Sequence, residues 1–180
     1  MFSGGVESTA VLTTLDPKRD HVLTVNDSSR FTSYVDNDEV ATRKIARHYG
    51  FEIPIYFNFE HTASPTMQHC VKPVFTLLPA ASIVCSKMRE ITEIVWGEHK
   101  HDIFSGATWP QYVEAFNIMH PKIKVHMPLA HLTKQEQWEM IDDKVKPYVI
   151  SCYDHHPQVV DGCEMCEDRK LINGRYTSTT

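Results

Sequence analysis

Two stretches of this chain carry residue types at spacings that can do chemistry, one near each end. Ser3-Gly4-Gly5-Val6-Glu7-Ser8 sets two glycines between serines, with a carboxylate close behind. Glycines let a backbone turn tightly and bring its N–H groups against a ligand. A helix opening on such a turn adds unpaired N–H donors and the positive end of its dipole, which together suit a phosphate or pyrophosphate. Ser3 and Ser8 offer hydroxyl donors, and Glu7 a carboxylate able to hold a magnesium ion that bridges phosphates. The candidate phosphate-contacting residues are those of this turn and its two flanks: Phe2, Ser3, Gly4, Gly5, Val6, Glu7, Ser8 and Thr9. The turn lacks the Gly-Lys-Ser/Thr ending of a Walker A loop, and the chain has no GxGxxG. A serine–glycine turn that only starts a structural helix would carry the same letters.

The second stretch is Cys152-x2-His155, then seven residues, then Cys163-x2-Cys166. Two chelating pairs, each with two residues between ligands, match how a turn presents side chains to tetrahedral zinc. Three cysteines and a histidine make a closed set, structural rather than catalytic, whose binding energy would pin the tail at 151–170 to the domain. His156 is an alternative fourth ligand, and reduced, unliganded thiols are the alternative to metal. Cys70 and Cys85 lie in apolar stretches and read as buried bystanders.

The elements that must position these residues are legible as alternating strands and helices. Strand-like runs occupy 21–25, 53–59, 91–97 and 122–128. Helical spacing runs through Val6, Ala10, Val11 and Leu15, and through Val40, Ala41, Ile45 and Tyr49, with Gly50 as a stop. The apolar segment 71–88 reads as a buried helix. Thr133 and Glu136 form a capping-box pattern that opens a helix through Trp138, Met140 and Ile141. Such alternation predicts an α/β fold: a doubly wound parallel sheet of about five strands with helices on both faces. Segments 27–38 and 60–69 read as loops over the functional edge. Only Met1 and Phe2 precede the glycine turn, so any strand feeding it is very short.

Composition fits one domain over residues 1–180, with 42% hydrophobic and 23% charged residues. No apolar run approaches the roughly 18 residues of a membrane helix, and the opening MFSGG has no leader pattern, so a cytoplasmic protein is expected. The net charge of −5 argues against gripping a nucleic-acid backbone. A small anionic ligand held by local donors remains compatible with it.

The motifs also resemble a known family. SerGlyGlyValGluSer is similar to the SGGxDS pyrophosphate loop of the N-type ATP pyrophosphatases (PP-loop enzymes), with Glu7 in place of the usual aspartate. SerCysTyr at 151–153 and GlyCysGluMetCysGluAspArg at 162–169 resemble the end of the 7-cyano-7-deazaguanine synthases, the QueC family. Cys152, Cys163, Cys166 and Arg169 fall on that pattern; the family's remaining cysteine would fall at Val160, and His155 is the substitute offered here. Gly97 with Asp102 is similar to the family's G-x4-D. Ser105-Gly106 with Pro110 and Phe116 is similar to its SGYPDCRxEF segment, from which Gln111, Tyr112 and Val113 depart. ProLeuAlaHisLeuThrLysGlnGluGlnTrp at 128–138 resembles PLxxLxKxExW, which places Lys134 at a helix start.

The resemblance implies an adenine-nucleotide α-hydrolase-like fold with a zinc-bound tail. It implies a ligase that uses ATP and Mg2+ to adenylate the carboxylate of 7-carboxy-7-deazaguanine. Ammonia would then carry that substrate to 7-cyano-7-deazaguanine (preQ0) in queuosine biosynthesis. Glu7 and Lys134 would be catalytic; Gly97, Asp102, Ser105 and Arg169 would contact substrate; Cys152, His155, Cys163 and Cys166 would hold Zn2+. No membrane or direct nucleic-acid partner is expected, and a homodimer is left open. Two rivals stand beside this reading: a related enzyme that stops at the amide or activates another carboxyl or carbonyl oxygen, and a non-enzymatic nucleotide-binding module. His21, His48, His69 and His120 read as surface or half-buried residues, and Asp142-Asp143 as a solvated face. GluHisLysHis at 98–101 reads as a solvated loop, with substrate contact at a strand end as the alternative, and Trp96, Trp109 and Trp138 read as core anchors.

Overall fold

The structure, a computed structural model, describes residues 2–27, 32–52, 55–59, 81–88, 90–100 and 113–149. The helices are α1 (Val6–Leu12), α2 (Thr32–His48), α3 (81–87), α4 (113–119) and α5 (Lys134–Met140). The strands are β1 (Leu23–Asp27), β2 (Ile55–Phe59), β3 (Glu93–Val95) and β4 (Lys124–His126), and a 3-10 turn covers Lys146–Tyr148. Each of the four strand-like runs thus overlaps a strand, β1 running two residues past the expected 21–25. They pair in parallel, β1 with β2 (Leu23 opposite Ile55) and β3 with β4 (Ile94 opposite Val125). Among the described residues these are two separate two-stranded sheets, where one sheet of about five strands was expected.

The packing shows helices on two sides of the strands. Successive strand residues point to opposite faces. Val22 enters a core with Phe2, α1, Ile45 and Ala46 of α2, and Ile141, while its neighbour Leu23 enters another with Ala81, Val84 and Cys85 of α3 and Phe116 of α4. On β3, Val95 packs toward the first core and Ile94 lies in the second. The short segment before the glycine turn is tied to β1 by one bond, Phe2 N–H to the Leu23 carbonyl at 2.8 Å.

Several expected boundaries and faces shift. The loop expected over 27–38 is strand at Asp27 and helix from Thr32. Helix α1 stops at Leu12, short of Leu15, where the Thr13 and Thr14 hydroxyls donate to the carbonyls of Ala10 and Val11 at 2.7 and 2.8 Å. Hydroxyls that bond back to the preceding turn compete with the helix ladder. Gly50 does terminate α2: it takes φ +83°, donates to the Arg47 carbonyl, and lets Phe51 N–H reach Ala46. Val40, assigned to that helix's inner face, is exposed, while Ala41, Ile45 and Ala46 are buried. Cys85 is buried, as expected, and burial pushes its thiol pKa up. The loop expected at 60–69, together with Cys70, His69 and Trp109, lies outside the described residues.

Candidate functional site

The glycine turn is braced by its own serines. Ser3 N–H donates to Ser8 Oγ at 3.2 Å, and Ser8 Oγ donates to the Gly5 carbonyl at 3.2 Å. The two hydroxyls are 3.1 Å apart. The Ser8 hydroxyl is buried within the turn, whereas Ser3 faces solvent. Gly4 takes φ +81°, a region that suits glycine, and a Cβ there would meet the Thr42 methyl at 3.0 Å. Gly5 is the N-cap of α1 with extended backbone and no side-chain cap. The first N–H groups of α1 have no partner in the helix's own i→i−4 ladder and, with no side chain capping them, remain as donors at the turn.

Every residue of α1 is buried except Glu7. Phe2 and Val6 are core side chains, and Thr9 is fully buried with Oγ1 lacking a hydrogen-bond partner. Contact between these three and a ligand would therefore run through their backbone. Glu7 alone reaches outward, and two side chains meet it. Lys134 Nζ, from the first residue of α5, lies 3.1 Å from Glu7 Oε1, and His99 Nε2 lies 3.8 Å from the same oxygen. The Lys134 and Glu7 side chains are only 12% and 21% exposed, so salt screens this pair less than it would a surface pair. Glu7 and Lys134, far apart in sequence, thus meet at the mouth of the turn.

The segment after β3 completes the mouth. A Cβ on Gly97 would lie 2.6 Å from Glu7 C and 2.7 Å from Ser8 N, so only glycine lets this segment touch the first turn of α1. The two residues after it are not a solvated loop: Glu98 is buried and His99 is half-buried beside Glu7.

Helix α5 is started by the expected capping box. Thr133 Oγ1 accepts from Glu136 N–H at 3.2 Å, and the Glu136 carboxylate accepts from Thr133 N–H at 2.7 Å. Bonds donated by the Thr133 N–H and hydroxyl hold the Glu136 carboxyl below its ordinary range. Of the apolar residues expected along this helix, Ile141 lies in the first core and Trp138 packs against it. Met140 is exposed and Trp138 half-buried, while Gln137 is fully buried. Gln137 Nε2 donates to the carbonyls of Glu98 at 2.5 Å and Leu129 at 2.9 Å. Its Oε1 has no hydrogen-bond partner, a condition that costs about 1–3 kcal/mol for a buried acceptor.

Glu7, His99 and Lys134 thus meet beside Gly97 at the glycine turn, with Gln137 bonded to the adjoining segment at Glu98; the sequence favours a solvated loop for His99 and does not single out Gln137. His99 had one signal, its place two residues past a glycine at a strand end. Gln137 had none stronger than lying three residues after Lys134, on the same helix face. Of the other expected site residues, Asp102, Ser105, Arg169, Cys152, His155, Cys163 and Cys166 lie outside the described residues.

A glycine turn leading into a helix, with parallel strands flanked by helices, places the protein in the α/β class. The sequence matches the family model described as queuosine biosynthesis protein QueC over residues 73–173, more than half of its length. The chain belongs to the QueC family, which lies within the PP-loop superfamily and whose members are ATP-dependent enzymes of queuosine biosynthesis. The glycine turn lies before the matched range. A comparison with curated proteins found no match.

Proposed function

We propose that this protein is an ATP-dependent ligase that adenylates the carboxylate of 7-carboxy-7-deazaguanine and, with ammonia, converts it to 7-cyano-7-deazaguanine. The observation that carries this reading is the 3.1 Å pair between Glu7 and Lys134 at the mouth of the glycine turn. A carboxylate is a poor acylating group; joining it to AMP gives a leaving group that ammonia displaces to form the amide, and a second ATP would adenylate the amide oxygen so that AMP leaves again as the nitrile forms. The backbone N–H groups of the turn and the Lys134 ammonium would stabilise charge developing on the phosphates. The carboxylate of Glu7, the outward-reaching side chain of α1, suits a hard cation, so Glu7 would hold Mg2+. That ion, when bound, neutralises phosphate charge. Gly97 would keep the substrate-side segment against the turn, and Asp102, Ser105 and Arg169 would contact the deazaguanine. Cys152, His155, Cys163 and Cys166 would hold a structural Zn2+, with His156 as the alternative ligand. The protein would act on small molecules in the cytoplasm.

The test is one incubation with ATP, Mg2+, ammonia and 7-carboxy-7-deazaguanine, read by mass spectrometry. The expected products are AMP, pyrophosphate and the nitrile. ADP with orthophosphate would overturn the reading. A product that stops at the amide would favour the related-enzyme alternative, toward which Gln111, Tyr112 and Val113 lean because they depart from the family segment.

A further inference from the structure

We infer that Gln137 is a positioning residue, whose side-chain amide clasps the segments after β3 and β4 to α5 and so sets Lys134 at its working distance from Glu7. The inference rests on the catalytic role proposed for Lys134. Gln137 is fully buried, and one NH2 group serves two carbonyls from two different segments, Glu98 after β3 and Leu129 after β4. An amide nitrogen has two hydrogens to give, and both are used here. Lys134 precedes Gln137 by three residues, so the two share one face of α5. The clasped segment also carries Gly97, which touches the Glu7 backbone, and His99, 3.8 Å from the Glu7 carboxylate. The chain of contacts therefore runs from Lys134 through α5 to Gln137, to Glu98 and Gly97, and back to Glu7. The buried, unpartnered Oε1 fits this reading, because an amide kept only for packing could be replaced by an apolar side chain of similar shape.

The test uses Gln137→Met, which keeps the volume and removes both donors. Gln137→Asn is the second variant; it keeps the donors but is one methylene too short to span both carbonyls. With wild-type folding confirmed by circular dichroism, kcat for AMP formation should fall about tenfold to a hundredfold, the cost of misplacing a catalytic group by an ångström or so. KM for ATP should stay within about threefold, because the turn itself is intact. In a Lys134→Ala background the same substitution should add nothing, since no ammonium remains to be positioned. Lys134 is also observed without turnover, as its 13C-dimethyl resonance, identified by its loss in Lys134→Arg. Glu7→Gln should shift that resonance, and Gln137→Met should shift it in the same direction. Unchanged kcat, full additivity with Lys134→Ala, or a resonance that Gln137→Met leaves in place would each overturn the inference. If the wild type forms no substrate-dependent AMP, the proposed activity fails, and the resonance still decides the clasp.

Discussion

At the scale of single residues, the site depends on charge placed at fixed distance. Removing the Lys134 ammonium (Lys134→Ala) should slow AMP formation about a hundredfold to a thousandfold, the usual effect of losing one preorganised charge. Glu7→Gln should weaken Mg2+-dependent turnover, since a neutral amide is a far poorer magnesium ligand; the check is a magnesium titration of the rate. Gly97→Ala tests packing rather than charge. Its methyl would collide with the backbone of Glu7 and Ser8, so a loss of about 1–3 kcal/mol is expected in a denaturant titration. Glu7 and Lys134, which the fold brings to 3.1 Å, stood out in the sequence because each sits in a motif to which the family resemblance attaches a role. His99 and Gln137 did not, because what makes them relevant is burial. Glutamine is a surface residue by composition, and only tertiary packing turns Gln137 inward.

At the scale of elements, α5 is the helix whose start is chemically encoded, and its boundary was read correctly from Thr133 and Glu136. Thr133→Ala should cost about 1 kcal/mol in thermal or chemical denaturation. The same box predicts a pH dependence. The Glu136 carboxyl sits below its ordinary value in the folded chain, through hydrogen bonds from the Thr133 N–H and hydroxyl. Its contribution is complete above the ordinary glutamate range and is lost as the pH falls through the lowered native value. Glu136→Gln should flatten that part of the acid denaturation curve, leaving the neutral-pH fold in place. Where no cap chemistry exists, the sequence was a poorer guide. In α4, Phe116 is buried while the adjacent apolar residues Ile118 and Met119 are exposed, so apolar letters there do not mark one face. On α5 the apolar letters were a better guide, since Ile141 lies in the first core and Trp138 packs against it, but Met140 is exposed and the polar Gln137 is fully buried.

For the whole molecule, strand–helix alternation correctly foretold parallel pairing and helices on both sides of the strands. Strand pairing across the chain is set by long-range contacts that no local pattern encodes, which is why the sheet order was not legible. The zinc proposal belongs at this scale, since it concerns how the carboxy-terminal tail is held. Purified protein should carry about one zinc per chain, and Cys163→Ser should lower both metal content and melting temperature. Metal analysis with a melt in the presence of chelator checks this; a melt that chelation leaves unchanged, in metal-free protein, would refute it.

The contact at Gly97 has a consequence for motion. Backbone meets backbone there with no room for a methyl group, so the segment after β3 and the first turn of α1 cannot slide past one another without parting altogether. The Lys134 side chain is different: a flexible four-carbon stem carries its ammonium, so its position can adjust where the backbone at Gly97 cannot. Under the proposed function, a nucleotide entering the turn would meet a backbone frame that stays still, with the adjustment left to side chains such as Lys134.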